Sequence, residues 1–516
     1  GVVDVLTSAD IPGLNAFGIC KADQPVLCGD KVRFRGDPVA LVLAEDAATA
    51  KAALSAVEVD YEPLETIASP GQALAAGAEK IHPEGNICTS FSFSRGHVED
   101  YFSGDYVVVE QTYTTPYQEH AYLENEAGFA LPLANGGVEI FHPAQYGYRD
   151  RMQLMKILDL PAEKIIIHST PLGGAFGGKD DMCLQPLLAI AALKTKRPVR
   201  IALDREESFL YSTKRLPFTI KMKTSASRDG KLMAHQVYAL CDAGPYTGIS
   251  SAVYNYALEN CCGVYLFQAI DVKGDCAFTN NAHTGAFRGF GNNQLNFAVE
   301  SQVDQLCEKL GLDRLEMRRQ NLICSGQPLN YGHDHSGCDG LHHAMELLSQ
   351  SRLWQNREAF KAASPAPHLK RGVGIAASQH GNGLGNALPD QGEAQVTLGP
   401  DGRFLISVGM EEMGQGLNTS LHIIAAEALA VDYDRITVLS GNTALYPDTG
   451  SSTASRCTYI GGNAILKAIE QFLAALRQQL AGRDLQVAVD GVLLDGQAIS
   501  WPETAALLPE STLTAA

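Results

Sequence analysis

Four short runs of glycine, small and hydroxyl residues, spread from Pro171 to Arg456, constrain this chain more than any other feature. The first is Pro171-Leu172-Gly173-Gly174-Ala175-Phe176-Gly177-Gly178-Lys179-Asp180-Asp181. It follows a strand-like run, Ile165 to His168, and precedes an apolar helical stretch from Cys183 to Leu193. Its glycines let the backbone turn sharply and bring N–H groups against an anion at a helix N-terminus. The second, Gly409 to Thr419, joins strand to helix in the same way and places Gln415 between two glycines, where its amide can reach a bound group. The third, Gly285-Ala286-Phe287-Arg288-Gly289-Phe290-Gly291, sets an arginine among aromatics and glycines, suited to a charge-assisted contact with an anion. The fourth, Thr449 to Arg456, is small and hydroxyl-rich ahead of a helix, which suits phosphate. Taken singly, each could be a tight turn or a structural salt bridge. The first matches neither G-x-G-x-x-G nor G-x-x-x-x-G-K-[ST], which disfavours a nicotinamide, flavin or P-loop reading.

A chain of 516 residues has room for roughly two to four domains. Its net charge of −18 argues against a nucleic-acid surface, which needs clustered Lys and Arg. No apolar run approaches the roughly 18 residues of a membrane span. The 12 cysteines include no C-x-x-C pair and no iron–sulfur spacing, so reduced thiols in a cytoplasmic protein are expected, with Cys261-Cys262 buried rather than bridged. The opening segment reads as strand Val39 to Leu43, helix Ala47 to Val57 and edge strand Val57 to Glu62. The boundaries expected are a small α+β domain over 1–70, a linker over 71–104, an α+β domain over 105–325, a polar connector over 326–370 and a second α+β domain over 371–516. Further strands are expected at Tyr106 to Tyr113, Glu393 to Leu398 and Phe404 to Val408, with helices at Val299 to Leu310, Thr419 to Ala430 and Asn463 to Leu480.

In order and at wide spacing, Gly-Gly-Ala-Phe-Gly-Gly-Lys, Ala-Phe-Arg-Gly-Phe-Gly and Glu-Met-Gly-Gln-Gly-Leu closely resemble the molybdopterin-binding subunit of the xanthine dehydrogenase/aldehyde oxidase family. Tyr117-Gln118-Glu119-His120 resembles that family's Gln-Glu-His segment, and Asp30 through Leu64 resembles its hammerhead domain. The resemblance implies a hammerhead α/β domain followed by two α+β molybdopterin-binding domains. It implies a pterin that holds molybdenum through its own dithiolene, which accounts for the lack of a His/Cys/carboxylate cluster in the sequence. Gln118, Phe176, Arg288 and Ala454 would surround the molybdenum, mostly without ligating it; Gly174, Gly177, Gly414, Gln415 and Ser455 would line the pterin and its phosphates. The bacterial form is expected to be the cytosine dinucleotide, with Ser451 and Ser452 suited to its extra phosphate. The implied reaction hydroxylates an electron-poor C–H carbon of an aldehyde, purine or other N-heterocycle with water-derived oxygen. Electrons would leave through an iron–sulfur subunit or domain and an FAD subunit, in an oligomer.

Phe290 resembles the aromatic that sandwiches a flat substrate, and Asp180 stands where purine-oxidising members have Glu. Tyr256 falls where purine-specific members carry an arginine, which turns the expectation away from xanthine itself. The family's base glutamate lies in a Gly-Glu-Pro-like segment near its C-terminus; here the chain closes after Pro509-Glu510-Ser511 without one. The expectation is a fragment, or a site completed by a separate C-terminal chain, with weak cofactor binding and turnover reduced by about 10²–10⁴ when alone. Glu411, Glu412, Asp180 and Asp181 are the remaining nearby carboxylates and are expected to be solvated surface pairs. The alternative reading is a cofactor-carrying or assembly protein of the same fold.

Overall fold

A computed structural model describes residues 1–332, 339–385, 388–510 and 513–516. Part of the polar connector and Ser511 lie outside the described residues. Two compact units emerge, each drawn from separate stretches of chain: Gly1–Leu64 with Glu119–Thr213 and Gly381–Ala516, and Glu65–Gln118 with Lys214–His380.

The first unit contains one folding pattern twice. In its first half, antiparallel strands Ala127–Pro132 and Val138–Phe141 lead to helix Gly147–Leu158; strand Ile165–His168 follows, parallel to Val138–Phe141, then helix Gln185–Thr195 and strand Val199–Ala202. In its second half, strands Ala394–Leu398 and Phe404–Val408 lead to helix Leu417–Leu429; strand Ile436–Ser440, parallel to Phe404–Val408, precedes helix Gly462–Gln479, and Thr514–Ala515 closes the sheet. Both halves thus run strand, strand, helix, strand, helix, strand, the second with a small sheet (Leu485–Ala488, Gly491–Leu494, Gln497–Ser500) and helix Trp501–Leu507 inserted before its last strand. The β-branched runs Ile165-Ile166-Ile167 and Ile436-Thr437-Val438 suit the two parallel strands. Helix Gln185–Thr195 is buried along nearly its whole length, so its apolar residues show no stripe. Each half closes over its own core, one around Ile140, Ile167 and Leu188, the other around Phe404, Leu421, Phe472 and Trp501.

The ends of the two parallel strands are tied together. Ser169 N donates to Gly441 O at 2.7 Å and Thr443 N to Ile167 O at 3.0 Å, while Ile167 N donates to Thr443 Oγ1 at 2.9 Å. All the strand-to-helix loops of both halves therefore leave from one place, the carboxyl ends of parallel strands, where α/β sheets bind ligands.

In the second unit a five-stranded sheet runs in the order Ile87–Arg95, Ala269–Phe278, Leu232–Gly244, Phe218–Ala226, Val107–Thr115. Helix Asn292–Leu310 packs on it through Leu295, Ala298, Val299, Val303 and Leu306. Buried Gln302 of that helix donates to Met222 O at 3.2 Å and accepts from the Tyr113 hydroxyl at 2.9 Å. A short parallel pair, Lys214–Arg215 with Thr284–Gly285, sits where the chain enters this unit.

Most expected elements appear, with shifted ends: helix Val299 to Leu310 begins earlier, at Asn292, and helix Ala47 to Val57 stops at Leu54. The edge strand expected over Val57 to Glu62 does not form. Its alternation is apolar and acidic, but Val57, Val59 and Tyr61 stay exposed, because the local sheet is only Val2–Leu6 with Leu41–Ala44. Residues 71–104, expected as a linker, contribute the sheet-edge strand Ile87–Arg95.

Thr443→Val leaves the buried Ile167 N–H without its acceptor at the tie between the halves. Urea unfolding should register a loss of about 1–3 kcal/mol; a change near zero would mean that this side-chain bond carries no stability.

Candidate cofactor site

Nine described non-glycine residues have a left-handed backbone: Ala121, Asp159, Phe176, Lys196, Phe290, Ala430, Ala454, Ser455 and Asp495. Asp159, Lys196 and Ala430 end helices, and Asp495 turns the hairpin between Gly491–Leu494 and Gln497–Ser500. The other five lie in the segments singled out by sequence: Ala121 beside the Gln-Glu-His run, Phe176 in the first loop, Phe290 in the third, Ala454 and Ser455 in the fourth. Such conformations cost on the order of 1–3 kcal/mol each and persist only where surroundings over-determine them.

The surroundings in the first unit are explicit. Glu124 accepts from Gly173 N at 2.8 Å and from Lys179 Nζ at 2.8 Å, bracing the first loop, while Lys179 also lies over the Tyr122 ring. Gly178 is obligatory, since a Cβ there would fall 2.8 Å from the Tyr122 ring. Leu172 N donates to Glu412 O at 3.1 Å, joining the first loop to the second; Ser452 N donates to Gln145 O at 3.1 Å and Gln145 N to Lys179 O at 3.0 Å, joining the fourth to the first. Arg456, fully buried, shapes the fourth loop: it donates to Thr449 O at 2.8 Å, Ser451 O at 3.0 Å and Gln391 O at 2.7 Å, and ion-pairs with Asp390 at 2.7 Å. Three of the four sequence motifs thus converge within this unit, carrying Gly174, Phe176, Gly177, Gly414, Gln415, Ala454 and Ser455.

The second unit gathers the rest. Gln118 and Arg215 face each other across a backbone bridge, and Arg215 reaches the Arg288 carbonyl at 3.1 Å. Tyr256, on helix Ser250–Glu259, meets Phe290 edge-on with centroids 5.8 Å apart, and its hydroxyl lies 3.2 Å from His380 Nδ1.

Several expectations change. Asp180 is not an open pocket carboxylate: it is buried and ion-paired with Arg149 at 2.5 Å. Ser451 and Ser452 are not available to a phosphate, being buried, with Ser451 donating to Asp180 at 3.4 Å and Ser452 Oγ accepting from Glu411 N at 2.6 Å. Gln415 uses its amide inside its own loop, accepting from Met413 N at 2.6 Å and donating to Glu411 O at 3.1 Å. The carboxylates are not a solvated surface group. Glu412 accepts from Gly414 N at 2.8 Å, Gly416 N at 3.1 Å and Asn418 N at 3.0 Å, organising the second loop. Burial pushes Glu411 up to about 8, so it stays protonated, held by Ser169 and the Gly147 amide. Burial, reinforced by Asp180, raises Asp181 to about 7; burial, opposed by Arg149, raises Asp150 to about 7.

A His/Cys cluster does form in space: ligand atoms of His235, Cys261 and Cys262 lie within 4.8 Å of one another, all buried. Both His235 nitrogens are already engaged, by Thr224 Oγ1 at 2.9 Å and Cys261 O at 3.1 Å, and its ring stacks on Phe267. This is packed core, and both cysteines are free thiols, as expected.

Glycine loops with left-handed residues, and arginines without a carboxylate partner among the described residues, fit a chain that binds a large anionic cofactor carrying its own metal chelator. Molybdopterin fits that description: among the described residues, neither Arg215 nor Arg288 has a carboxylate partner. Comparison with known proteins agrees. Residues 1–65 match the aldehyde oxidase and xanthine dehydrogenase a/b hammerhead domain, and residues 81–322 and 346–515 each match a molybdopterin cofactor-binding domain. The chain is 41% identical over 484 residues to a probable xanthine dehydrogenase subunit of Bacillus subtilis (strain 168), covering 93% of this chain and 64% of that protein. It is 36% identical over 352 residues to the nicotinate dehydrogenase large molybdopterin subunit of Eubacterium barkeri, covering 68% of this chain and 82% of that one. The crystal structure of the aldehyde oxidoreductase from Desulfovibrio desulfuricans ATCC 27774 superposes with a TM-score of 0.89 at 28% identity, over 93% of this chain and 54% of that chain. The chain belongs to the xanthine dehydrogenase/aldehyde oxidase family, as a molybdopterin-binding subunit. It spans just under two thirds of the Bacillus relative and about half of the solved structure. No helix among the described residues is long and apolar enough to cross a membrane.

Sequence reading misses Arg215 and Glu124 as site-forming residues. Arg456 enters it only as the end of the fourth run, and Glu411 and Glu412 only as a solvated pair, though their places inside these loops were the signal.

Because Glu411 titrates near 8 when folded against an ordinary 4.5, it favours folding below pH 4.5, and that contribution is lost as pH rises toward 8. Asp150 and Asp181 act in the same direction, from 3.8 toward 7. Glu411→Gln should therefore narrow the stability loss between about pH 5 and pH 8 by on the order of 2 kcal/mol in urea titrations. Parallel curves for variant and wild type would contradict a buried, protonated Glu411.

Proposed function

We propose that this chain carries the molybdenum site of a hydroxylase acting on an aldehyde, a purine or another N-heterocycle. The carrying observation is that all five unexplained left-handed residues fall in the segments that would cradle the cofactor. When bound, the molybdenum group supplies a two-electron acceptor and activates a water-derived oxygen. The chain's own residues bind and orient. The first, second and fourth loops would place Gly174, Gly177, Gly414, Gln415 and Ser455 along the pterin and its phosphates, Gly414 and Gln415 as lining, since the Gly414 N–H and the Gln415 side-chain amide are bonded within their own loop. Gln118, Arg288, Phe176 and Ala454 border the metal, Gln118 and Arg288 as donors and the other two as shape. A cytosine dinucleotide form remains the expected one, though it would bind through loop backbone rather than the buried Ser451 and Ser452 hydroxyls.

Phe290 and Tyr256 form the aromatic side of the substrate pocket, which suits a flat ring. Tyr256 presents a neutral hydroxyl in place of a guanidinium, which favours heterocycles and aldehydes over xanthine. Asp180 acts indirectly, through Arg149 and the fourth loop. Oxidation of C–H to C–OH by water releases two electrons and two protons, so an electron acceptor is needed, the role expected of iron–sulfur and FAD partners in an oligomer. The free thiols suit a reducing compartment, the cytoplasm.

Metal analysis of the purified assembly should find about one molybdenum and one pterin per chain, in line with one site built from the loops. Finding neither contradicts the proposal, and pterin without substrate oxidation in the complete assembly would favour a carrier. Tyr256→Arg should shift relative rates toward purines; unchanged ratios would exclude Tyr256 from the pocket.

A further inference from the structure

Arg215 is buried and makes an unusually complete set of contacts, none of them with a carboxylate. Its Nε donates to Gln118 Oε1 at 3.0 Å, one terminal nitrogen donates to Asn293 Oδ1 at 3.2 Å and Gln294 Oε1 at 3.5 Å, and the other donates to Arg288 O at 3.1 Å. The guanidinium lies over the Phe287 ring at 3.9 Å, and the Arg215 amide donates to Gln118 O at 2.9 Å. Burial draws its pKa down to about 10, which still leaves a full positive charge at neutral pH. One residue therefore joins the Gln118 segment, the Arg288 loop and the start of helix Asn292–Leu310.

A guanidinium has five N–H donors and no acceptor. The end of the Gln118 amide that meets it must be the carbonyl, so the NH2 end is turned away as a donor. A Gln without such a partner could present either end. We propose that Arg215 is a positioning residue that fixes the Gln118 amide with its NH2 group outward and holds the Arg288 loop in register with it. This rests on the reading that Gln118 borders the molybdenum group. In that setting the lock ensures that the group meets a hydrogen-bond donor rather than a carbonyl. The charge left uncompensated by protein carboxylates gives the same loop a preference for an anion.

The test compares Gln118→Ala, Arg215→Met, Arg215→Lys and the double variant Gln118→Ala/Arg215→Met in the loaded, complete assembly. Molybdenum content and thermal melting serve as controls. Each of the Gln118→Ala and Arg215→Met variants should lower kcat about 10- to 100-fold, as loss of an orienting partner does. The double variant should be no worse than the poorer single, because both remove the same donor. The electron paramagnetic resonance spectrum of the half-reduced metal should shift in the same way in both single variants, and Arg215→Lys, which keeps the charge, should recover part of kcat. Multiplying effects in the double variant, or an unshifted spectrum in Arg215→Met, would overturn the positioning role. If Arg215→Met fails to load or fold, Arg215→Lys must show the partial kcat loss and shifted spectrum; wild-type values there overturn the role equally. If Gln118→Ala is itself indistinguishable from wild type at full molybdenum content, the placement of Gln118 fails, and the inference with it.

Discussion

The proposed cofactor site depends on backbone held where side chains make it unfavourable. Phe176, Phe290, Ala454 and Ser455 occupy left-handed conformations outside helix ends and hairpins, at on the order of 1–3 kcal/mol each. In the first unit, polar side chains bonded to the loop backbone leave those loops little alternative. Arg456 gathers three carbonyls of its neighbourhood, Glu124 clamps the first loop, and Glu412 ties down three amides of the second. A loop fixed this way loses little entropy when a ligand arrives.

The duplicated pattern of the first unit explains how so many loops share one location. Each half contributes a parallel strand pair, and the tie between Ile167 and Thr443 joins the carboxyl ends of both. Buried carboxyls occupy the space beneath. Glu411, Asp150 and Asp181 are held up toward neutrality by desolvation, which lowers the negative charge buried near these loops. Asp180, by contrast, is balanced by Arg149.

The loops themselves were legible in the sequence, because glycine density between an apolar strand and an apolar helix is a local signal. So were strands such as Ile165–His168 and Phe404–Val408, whose ends fell where expected. What was not legible depends on contacts distant in the chain. Ser451 and Ser452 looked like phosphate donors because hydroxyls are written in the sequence, whereas their burial against Asp180 and Glu411 is not. Val57 to Glu62 alternates as a strand does, yet alternation needs a sheet to join. Arg215 carried no motif of its own; its meaning comes from Gln118, separated from it by a whole stretch that belongs to the other compact unit.

The central claim, that these strained loops are built to receive an anionic metal cofactor, is tested most directly by amide hydrogen exchange on the apo and molybdenum-loaded protein. Loading should slow exchange selectively over residues 173–179, 286–291, 412–418 and 450–456, leaving sheet cores such as Phe218–Ala226 unchanged. Protection spread evenly over the chain, or confined to segments outside those loops, would contradict it.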